Sequence, residues 1–480
     1  MDNPFKSATF TAIVSDLHLC EEEPVNLKFP LWKKYKTKEF FFDDVFEQFL
    51  NHLPNLSGGL PIELVLNGDI FDFDSVLAQP PRPHYRVSGI ERKRGLHPQE
   101  QKSVFKIKII LRAHKQWIEA LGEFVRAGNR IVFVYGNHDL ELHFKEAQRE
   151  VLSHLKLNEE ELKRVTFTEW FYISNEDTLI EHGNQYDPYC RCEDPVNPFI
   201  ERAGYLEVRL PFGSWATRYI VNGVGFFNPH VDSNYIMSFW QYFKFFIKYM
   251  ARSQPTLVVT WVFGAFATLK QTISDQLHPA IRDPLSVELR IEDIAKRANA
   301  TPSMVRQLTE LFLPSAGRNP WLIARELWLD RAAILIGAFY VLLNIYIYVN
   351  AITPLSIWWF LGPSALVFPP FLFYSSFVHS EVLRFKEPQE RILSLAALIT
   401  KVQRIVYGHT HVSRHEIIGA VEHLNSGTWS PAFTDVECKN PIDQKTFVWI
   451  FPSLEGRRLA KLLKFKDGVA EDRFHSKHNN

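Results

Sequence analysis

The sequence predicts an α/β fold interrupted by a large, mostly helical and hydrophobic insertion. Three features predict it. Five apolar, β-branched runs each end in polar side chains able to bind metal, a helically spaced stretch lies between two of them, and the C-terminal half holds a long segment without charge.

The five runs are TAIVSDLHL at 11–19, IELVLNGDIFD at 62–72, RIVFVYGNHD at 130–139, TLIEHGNQYD at 178–187 and RIVYGHTH at 404–411. Each stops in its polar residues on the C-terminal side, and in an open α/β sheet that edge is where sites are built. Ser103 to Ala127 carries apolar residues at helical spacing and reads as a crossover helix, with His114 on it as a surface or core residue rather than a ligand. His409 and His411 stand at i and i+2, so they point the same way. Taken singly, each run has an ordinary explanation as a capped strand end or turn. Together they supply Asp, Asn and His, an oxygen and nitrogen set that suits manganese foremost, or iron or zinc, with ligands enough for two ions.

Composition narrows the function classes. Lysine plus arginine equals aspartate plus glutamate at 54 each, which gives no global attraction to nucleic acid. The four cysteines, Cys20, Cys190, Cys192 and Cys438, are too few and scattered for a disulfide framework, and Cys190 with Cys192 makes no zinc site alone. The first residues run into a strand without an apolar signal core, so a cytoplasmic catalytic part is expected.

The blocks DLH, GDIFD, GNHD, HGN and GHTH, all present and in order, resemble those of the calcineurin-like metallophosphoesterases. The resemblance implies a four-layer αββα sandwich with two metals. It implies a first ion held by Asp16, His18, Asp69 and His411, and a second held by Asp69, Asn137, His182 and His409, with Asp69 bridging. It also implies that His138 stabilises developing charge or protonates the leaving oxygen, with Asp72 or Asp139 orienting its ring. Two adjacent cations suit phosphoester hydrolysis because they neutralise phosphoryl oxygens and acidify a water near neutral pH. His143, Asn184 and Asp187 read as supporting or loop residues. Within the superfamily, DLHL, GDIFDF and the joined apolar helices most resemble the UDP-2,3-diacylglucosamine hydrolases. Here His138 stands where a common form of that enzyme has arginine, and HGN at 182–184 replaces HGD. A metal-free scaffold of the same fold would have lost ligands, and every expected ligand type is present.

Two regions bear on the substrate. After the second block, Arg82, Arg86, Arg92, Lys93 and Arg94 form a basic loop that could clamp an anionic, lipid-linked or nucleotide-linked substrate; the alternative is a solvated loop. From Ala332 to Ser380 there is no Asp, Glu, Lys or Arg. Its first half would make a helix about 27 Å long at about 1.5 Å per residue, near the hydrocarbon thickness of a bilayer. The second half can return, with Pro363, Pro369 and Pro370 predicting kinks. A hairpin over 332–378 is therefore expected to enter a membrane, its basic flanks placing both ends on the cytoplasmic face; the alternative is a hairpin buried in a soluble cap. The resemblance has His182 and His409, which flank the insertion, share one ion, so crossings between them must be even in number. The charge-free run 253–269 must then lie on a surface, pair with another crossing or pack on the protein. Residues 235–252 have the composition of an interfacial helix or of a core helix with snorkelling lysines. Residues 283–312 read as soluble helix, with Thr301 before Pro302 as a helix start. The expected organisation is a core in two parts, 1–190 and 396–466, a membrane-associated insertion at 191–395 and a disordered tail at 467–480.

Overall fold

The computed structural model describes residues 5–225, 244, 247–248, 257–278, 284–378, 389–433, 435–442 and 444–473. Its strands, in chain order, are β1 (Phe10–Val14), β2 (Ile62–Asn67), β3 (Arg130–Val134), β4 (Val165–Thr168), β5 (Phe171–Ser174), β6 (Thr178–Glu181), β7 (Phe199–Arg202), β8 (Tyr205–Val208), β9 (Arg404–Tyr407), β10 (Arg414–Ile418), β11 (Val421–Asn425), β12 (Thr446–Pro452), β13 (Arg458–Lys466) and β14 (Val469–Asp472). Seven build one sheet in the order β14-β13-β12-β1-β2-β3-β4, and five build a second in the order β10-β11-β9-β6-β5. β1 to β4 run parallel, as do β6, β9 and β11, so the runs that carry ligand-type residues end at matching sheet edges.

Burial separates the layers. Ile13, Val65, Val132, Ile180, Val406, Leu424 and Val448 form the apolar seam shared by the two sheets. On the outer face of the seven-stranded sheet lie the helices Asp43–Ser57, Glu100–Ala113, Lys115–Arg126 and Lys145–His154, through Phe46, Ile110, Trp117, Leu121 and Val151. The outer face of the five-stranded sheet is covered by Pro284–Arg297, Pro302–Thr309 and Glu390–Thr400, through Ile294, Val305 and Leu393. The four layers are thus αββα, and the fourth is supplied by residues that the sequence places inside the insertion. Thr301 caps its helix as expected, its side chain accepting the N–H of Met304.

Several expectations need correction. The single crossover helix is two, broken at His114, which is buried with Nδ1 2.9 Å from Asp43 Oδ2 and Nε2 3.1 Å from the carbonyl of Cys20. The expected disordered tail is partly a strand: Asp467 and Gly468 both have positive φ, the backbone of a type I′ hairpin, and they turn β13 into β14. Residues 474–480 lie outside the described residues, as does the expected interfacial helix at 235–252 apart from 244, 247 and 248.

Residues 257–269 of the charge-free run 253–269 lie on the helix Leu257–Leu277, which packs on the protein through buried Ala265, Thr268, Thr272 and Asp275 and leaves Val259, Phe263 and Phe266 exposed, while 253–256 lie outside the described residues. The uncharged segment is a helical hairpin of Leu329–Ile352 followed by Trp358–Leu366 and Phe368–Phe377. Its limbs meet at the base, where Arg331 Nη2 donates to the carbonyl of Val378 and Tyr374 Oη to Asp330 Oδ2. Pro363 is accommodated inside the second limb, which instead breaks at Val367, just before Pro369 and Pro370. Leu329–Ile352 is long and apolar enough to cross a bilayer by length and composition, and none of its most apolar stretch is buried.

Candidate metal centre

The carboxyl ends of five strands converge between the two sheets. Asp16 and His18 follow β1, Asp69 follows β2, Asn137 and His138 follow β3, His182 directly follows β6, and His409 and His411 follow β9. All are buried except His138, whose side chain is 14% exposed. Asp16, His18, Asp69, His409 and His411 adopt positive φ, between 48° and 67°. For residues with a Cβ this costs roughly 1–3 kcal/mol each and is retained where surrounding structure enforces it, most often at functional sites. Each of the three tight turns needs a glycine. A Cβ on Gly68 would lie 2.4 Å from the His182 ring, one on Gly136 2.3 Å from Asp69 Oδ1, and one on Gly408 2.7 Å from Asp16 Oδ2.

Two ligand groups result. Asp16, His18 and His411 form one, with His18 Nε2 3.1 Å from His411 Nε2 and His411 Nε2 3.1 Å from Asp16 Oδ1. Asp69, His182 and His409 form the other, with His182 Nε2 3.2 Å from Asp69 Oδ2. Asp69 stands between them, its Oδ2 also 3.9 Å from His18 Nε2. Asn137 Oδ1 is buried and has no hydrogen-bond partner among the described residues, a polar atom that costs free energy unless a ligand satisfies it. The convergence of ring nitrogens on carboxylates, with an orphaned amide oxygen beside them, fits two hard-to-borderline divalent cations.

Supporting contacts orient these groups. His182 Nδ1 lies 2.9 Å from the carbonyl of Asn67, which aims its Nε2 inward. Asp187 Oδ2 is 3.0 Å from His409 Nε2, and two further groups of ligand-type atoms adjoin the first two, Asp187 with Cys190 and His409 and His18 with Asp72 and His138. Burial, with Asp187 adding to it, holds the Cys190 thiol well above its usual pKa, so it stays protonated. His143 lies apart, edge-on to Tyr135, and Asn184 donates to the carbonyl of Cys190.

His138 Nδ1 is 3.1 Å from Asp72 Oδ1 and 3.5 Å from Asp74 Oδ2, and its ring lies edge-on to His18 at 5.0 Å between centroids. Burial alone would lower its pKa; the carboxylates of Asp69 and Asp72 outweigh that and hold the imidazole protonated well above its usual range. Of the two expected orienting carboxylates only Asp72 faces the ring. Asp139 instead accepts the backbone N–H groups of Ile70, Phe71 and Gly136 and so fastens the Asp69 loop to the His138 loop. Its burial, with the Asp69 charge adding to it, raises its pKa to about 7.

The basic loop is ordered by buried Glu91, which accepts the N–H groups of Ser88 and His97 and pairs with Lys102. Arg82, Arg86, Arg92 and Lys93 are exposed on it. Among the described residues no hydrogen bond or ion pair joins these four to the ligand groups. Arg94 is half-buried and packs against Gly223. Asp74 was missed by the sequence reading, although the spacing Asp69, Asp72, Asp74 carries it, and so was Arg218, for which the sequence offers no signal.

Residues 11–203 are similar to the family model of calcineurin-like phosphoesterases, a group of metal-dependent phosphoester hydrolases. It covers the first four blocks but not His409 and His411, which the fold brings to the same place. No curated protein matches the chain.

Proposed function

We propose that this protein is a membrane-associated two-metal phosphoesterase that hydrolyses a lipid-linked or nucleotide-linked phosphoester or pyrophosphate, with a UDP-2,3-diacylglucosamine-like substrate favoured. The observation that carries the hydrolase reading is the pair of ligand groups, Asp16 with His18 and His411 and Asp69 with His182 and His409, with Asp69 Oδ2 also 3.9 Å from His18 Nε2 and His138 edge-on to His18. Asp16, His18, Asp69 and His411 would hold one ion, and Asp69, Asn137, His182 and His409 the other. A dinuclear divalent centre, manganese favoured and iron or zinc also compatible with the donors, supplies charge neutralisation for the phosphoryl group and a water acidified to near-neutral pKa.

The chain's own residues do the rest. His138, its Nδ1 fixed by Asp72, donates a proton or a charge-assisted hydrogen bond toward the leaving oxygen. Asp139 keeps the Asp69 and His138 loops in register, and Asp187 keeps the His409 ring oriented. The membrane part of the reading rests on the hairpin at 329–377: Ile336, Tyr340, Tyr348, Trp358, Trp359, Leu366 and Phe373 are all exposed, a run of large apolar side chains of the kind that marks a membrane or protein interaction surface. Both ends of that hairpin meet at Arg331 and Val378, which fits a device that enters a bilayer and returns to the face carrying the catalytic core. Trp321, exposed near the base, and Trp358 and Trp359 near the tip suit interfacial positions. The basic loop is the candidate clamp for the anionic part of the substrate.

The test is hydrolysis by full-length, detergent-purified, manganese-loaded protein of UDP-2,3-diacylglucosamine, a chromogenic phosphodiester and a lysophospholipid, with Asp69→Ala as control. Turnover of the lipid nucleotide, lost in the control, is expected. Turnover of the generic ester alone would refute the favoured substrate, and turnover of none would refute the hydrolase.

A further inference from the structure

The segment that follows β8 leaves the phosphoesterase core and returns over it. Phe212–Ala216 is α-helical, Thr217–Val221 is a π-helical turn, and Asn222–Val224 completes the helix. Such π-turns recur at functional sites. Three of its polar residues, Ser214, Arg218 and Asn222, are spaced by four and share one face. All three are almost fully buried, at 0%, 1% and 4% exposure. That face lies on the candidate metal centre. Ser214 Oγ is 3.5 Å from the carbonyl of Asn137, Arg218 Nε donates to Asp74 Oδ1 at 2.7 Å, and Asn222 Nδ2 donates to the carbonyl of Asp74 at 2.8 Å.

Arg218 is the centre of this contact. Its other nitrogens donate to the carbonyl of Leu96 and to Glu141 Oε1, each at 2.5 Å, and Glu141 also takes Lys106 and Ser103. Its guanidinium lies over the Trp215 ring, 5.4 Å from the centroid. Asp74 is therefore divided: one oxygen holds Arg218 and the other faces His138 Nδ1 at 3.5 Å. Asp72 holds the same nitrogen at 3.1 Å. Two buried carboxylates converge on one imidazole, and the Arg218 guanidinium pairs the Asp74 oxygen that is turned away from the ring.

We propose that Arg218 is a positioning residue for hydrolysis at the two-metal site: it anchors Asp74 so that the Asp72 and Asp74 carboxylates fix the ring of His138. The proposal rests on the phosphoesterase reading above, and it makes 212–224 a working part of the active site rather than the first turn of an appended domain. The same segment is tied outward, since Trp215 Nε1 donates to Asp275 Oδ2 on the helix Leu257–Leu277.

The experiment uses the full-length, manganese-loaded protein with Arg218→Gln and Arg218→Lys, each alone and combined with His138→Ala. Steady-state hydrolysis of the chromogenic phosphodiester gives kcat and KM. Metal content per chain, and the rate at which diethyl pyrocarbonate modifies His138, are read by mass spectrometry. The expected result is a kcat loss on the order of 10²-fold in Arg218→Gln, as for a misplaced catalytic group, with KM and metal content unchanged. No further loss is expected when His138 is already alanine, and His138 should be modified several-fold faster in the variant. Arg218→Lys keeps the charge without the planar fork; it carries the same comparison if the glutamine variant does not fold. An equal fold-loss with and without His138, or an unchanged modification rate, overturns the proposal. If the unmodified protein hydrolyses nothing, the phosphoesterase reading falls, and the modification rate alone then decides whether Arg218 holds His138.

Discussion

Gly136→Ala adds one methyl group at the point where two loops that carry candidate metal ligands touch. Gly136 does not have positive φ, so alanine brings no backbone strain and the effect is steric. The new Cβ would sit 2.3 Å from Asp69 Oδ1, 2.5 Å from the Asp69 nitrogen and 2.9 Å from His182 Cδ2. Ordinary contact begins near 3.4 Å, so the Asp69 carboxylate must retreat by about 1 Å. It cannot do so freely: Oδ1 accepts the N–H of His138 at 2.8 Å, and the Asp69 carbonyl accepts that of His18 at 2.9 Å. Overpacking of this kind costs about 1–3 kcal/mol of stability. A displacement of about 1 Å in Asp69, the ligand proposed to be shared by both ions, is expected to lower turnover on the order of 10²-fold. The assay measures metal content per chain, phosphodiester hydrolysis and thermal unfolding, with Gly89→Ala, whose Cβ would meet nothing within 4 Å, as the neutral control. A Gly136→Ala protein with full metal content and full turnover would refute the assignment of Asp69 as the shared ligand.

Asp187→Asn removes the carboxylate that orients His409 and should weaken binding of one ion by about 10–100-fold in chelator competition, leaving the other unchanged. His143 is pushed down to about 3 by burial, with Arg297 and other cations adding to it, so it is neutral in the fold and charges only on unfolding. That depressed value means its contribution to stability is complete above the ordinary histidine pKa and declines as pH falls below it. Stability should drop by about 2 kcal/mol between pH 7 and pH 5, and His143→Phe should remove that part of the pH dependence of thermal unfolding. Replacing 332–377 by a short glycine linker, which the meeting of Arg331 and Val378 permits, should move the protein from the vesicle pellet to the supernatant in sedimentation. Phosphodiester turnover should persist in that deletion. Intact protein that fails to sediment with vesicles would refute the membrane reading.

The metal-site part of this architecture is legible because it is local. Asp16, Asp69, Asn137, His182 and His409 stand at the ends of short apolar strands, and strand direction alone carries them to one edge. Asp139 was legible as a site residue but not in its task. Only the three-dimensional turn shows its carboxylate occupied by the backbone N–H groups of Ile70, Phe71 and Gly136 rather than by the His138 ring. Arg218 was invisible for the opposite reason. Its partners Asp74 and Glu141 are far away in sequence, and a buried arginine has no periodic signature. Hydropathy also merged two different things into one insertion. Pro284–Arg297 and Pro302–Thr309 close the core on the second sheet, whereas Leu329–Ile352 projects its apolar side chains outward. The strand β14 was hidden by its charged residues, although its Asp467–Gly468 turn is a strong short-range hairpin signal.

The central claim is that Asp69 joins two ligand groups into one dinuclear hydrolytic centre. The most direct test measures divalent ions bound per chain, alongside phosphodiester hydrolysis, for full-length protein and Asp69→Ala equilibrated with manganese. The account predicts two ions and turnover in the first, and loss of bound metal together with loss of turnover in the second. Undiminished metal binding and hydrolysis in Asp69→Ala would contradict it.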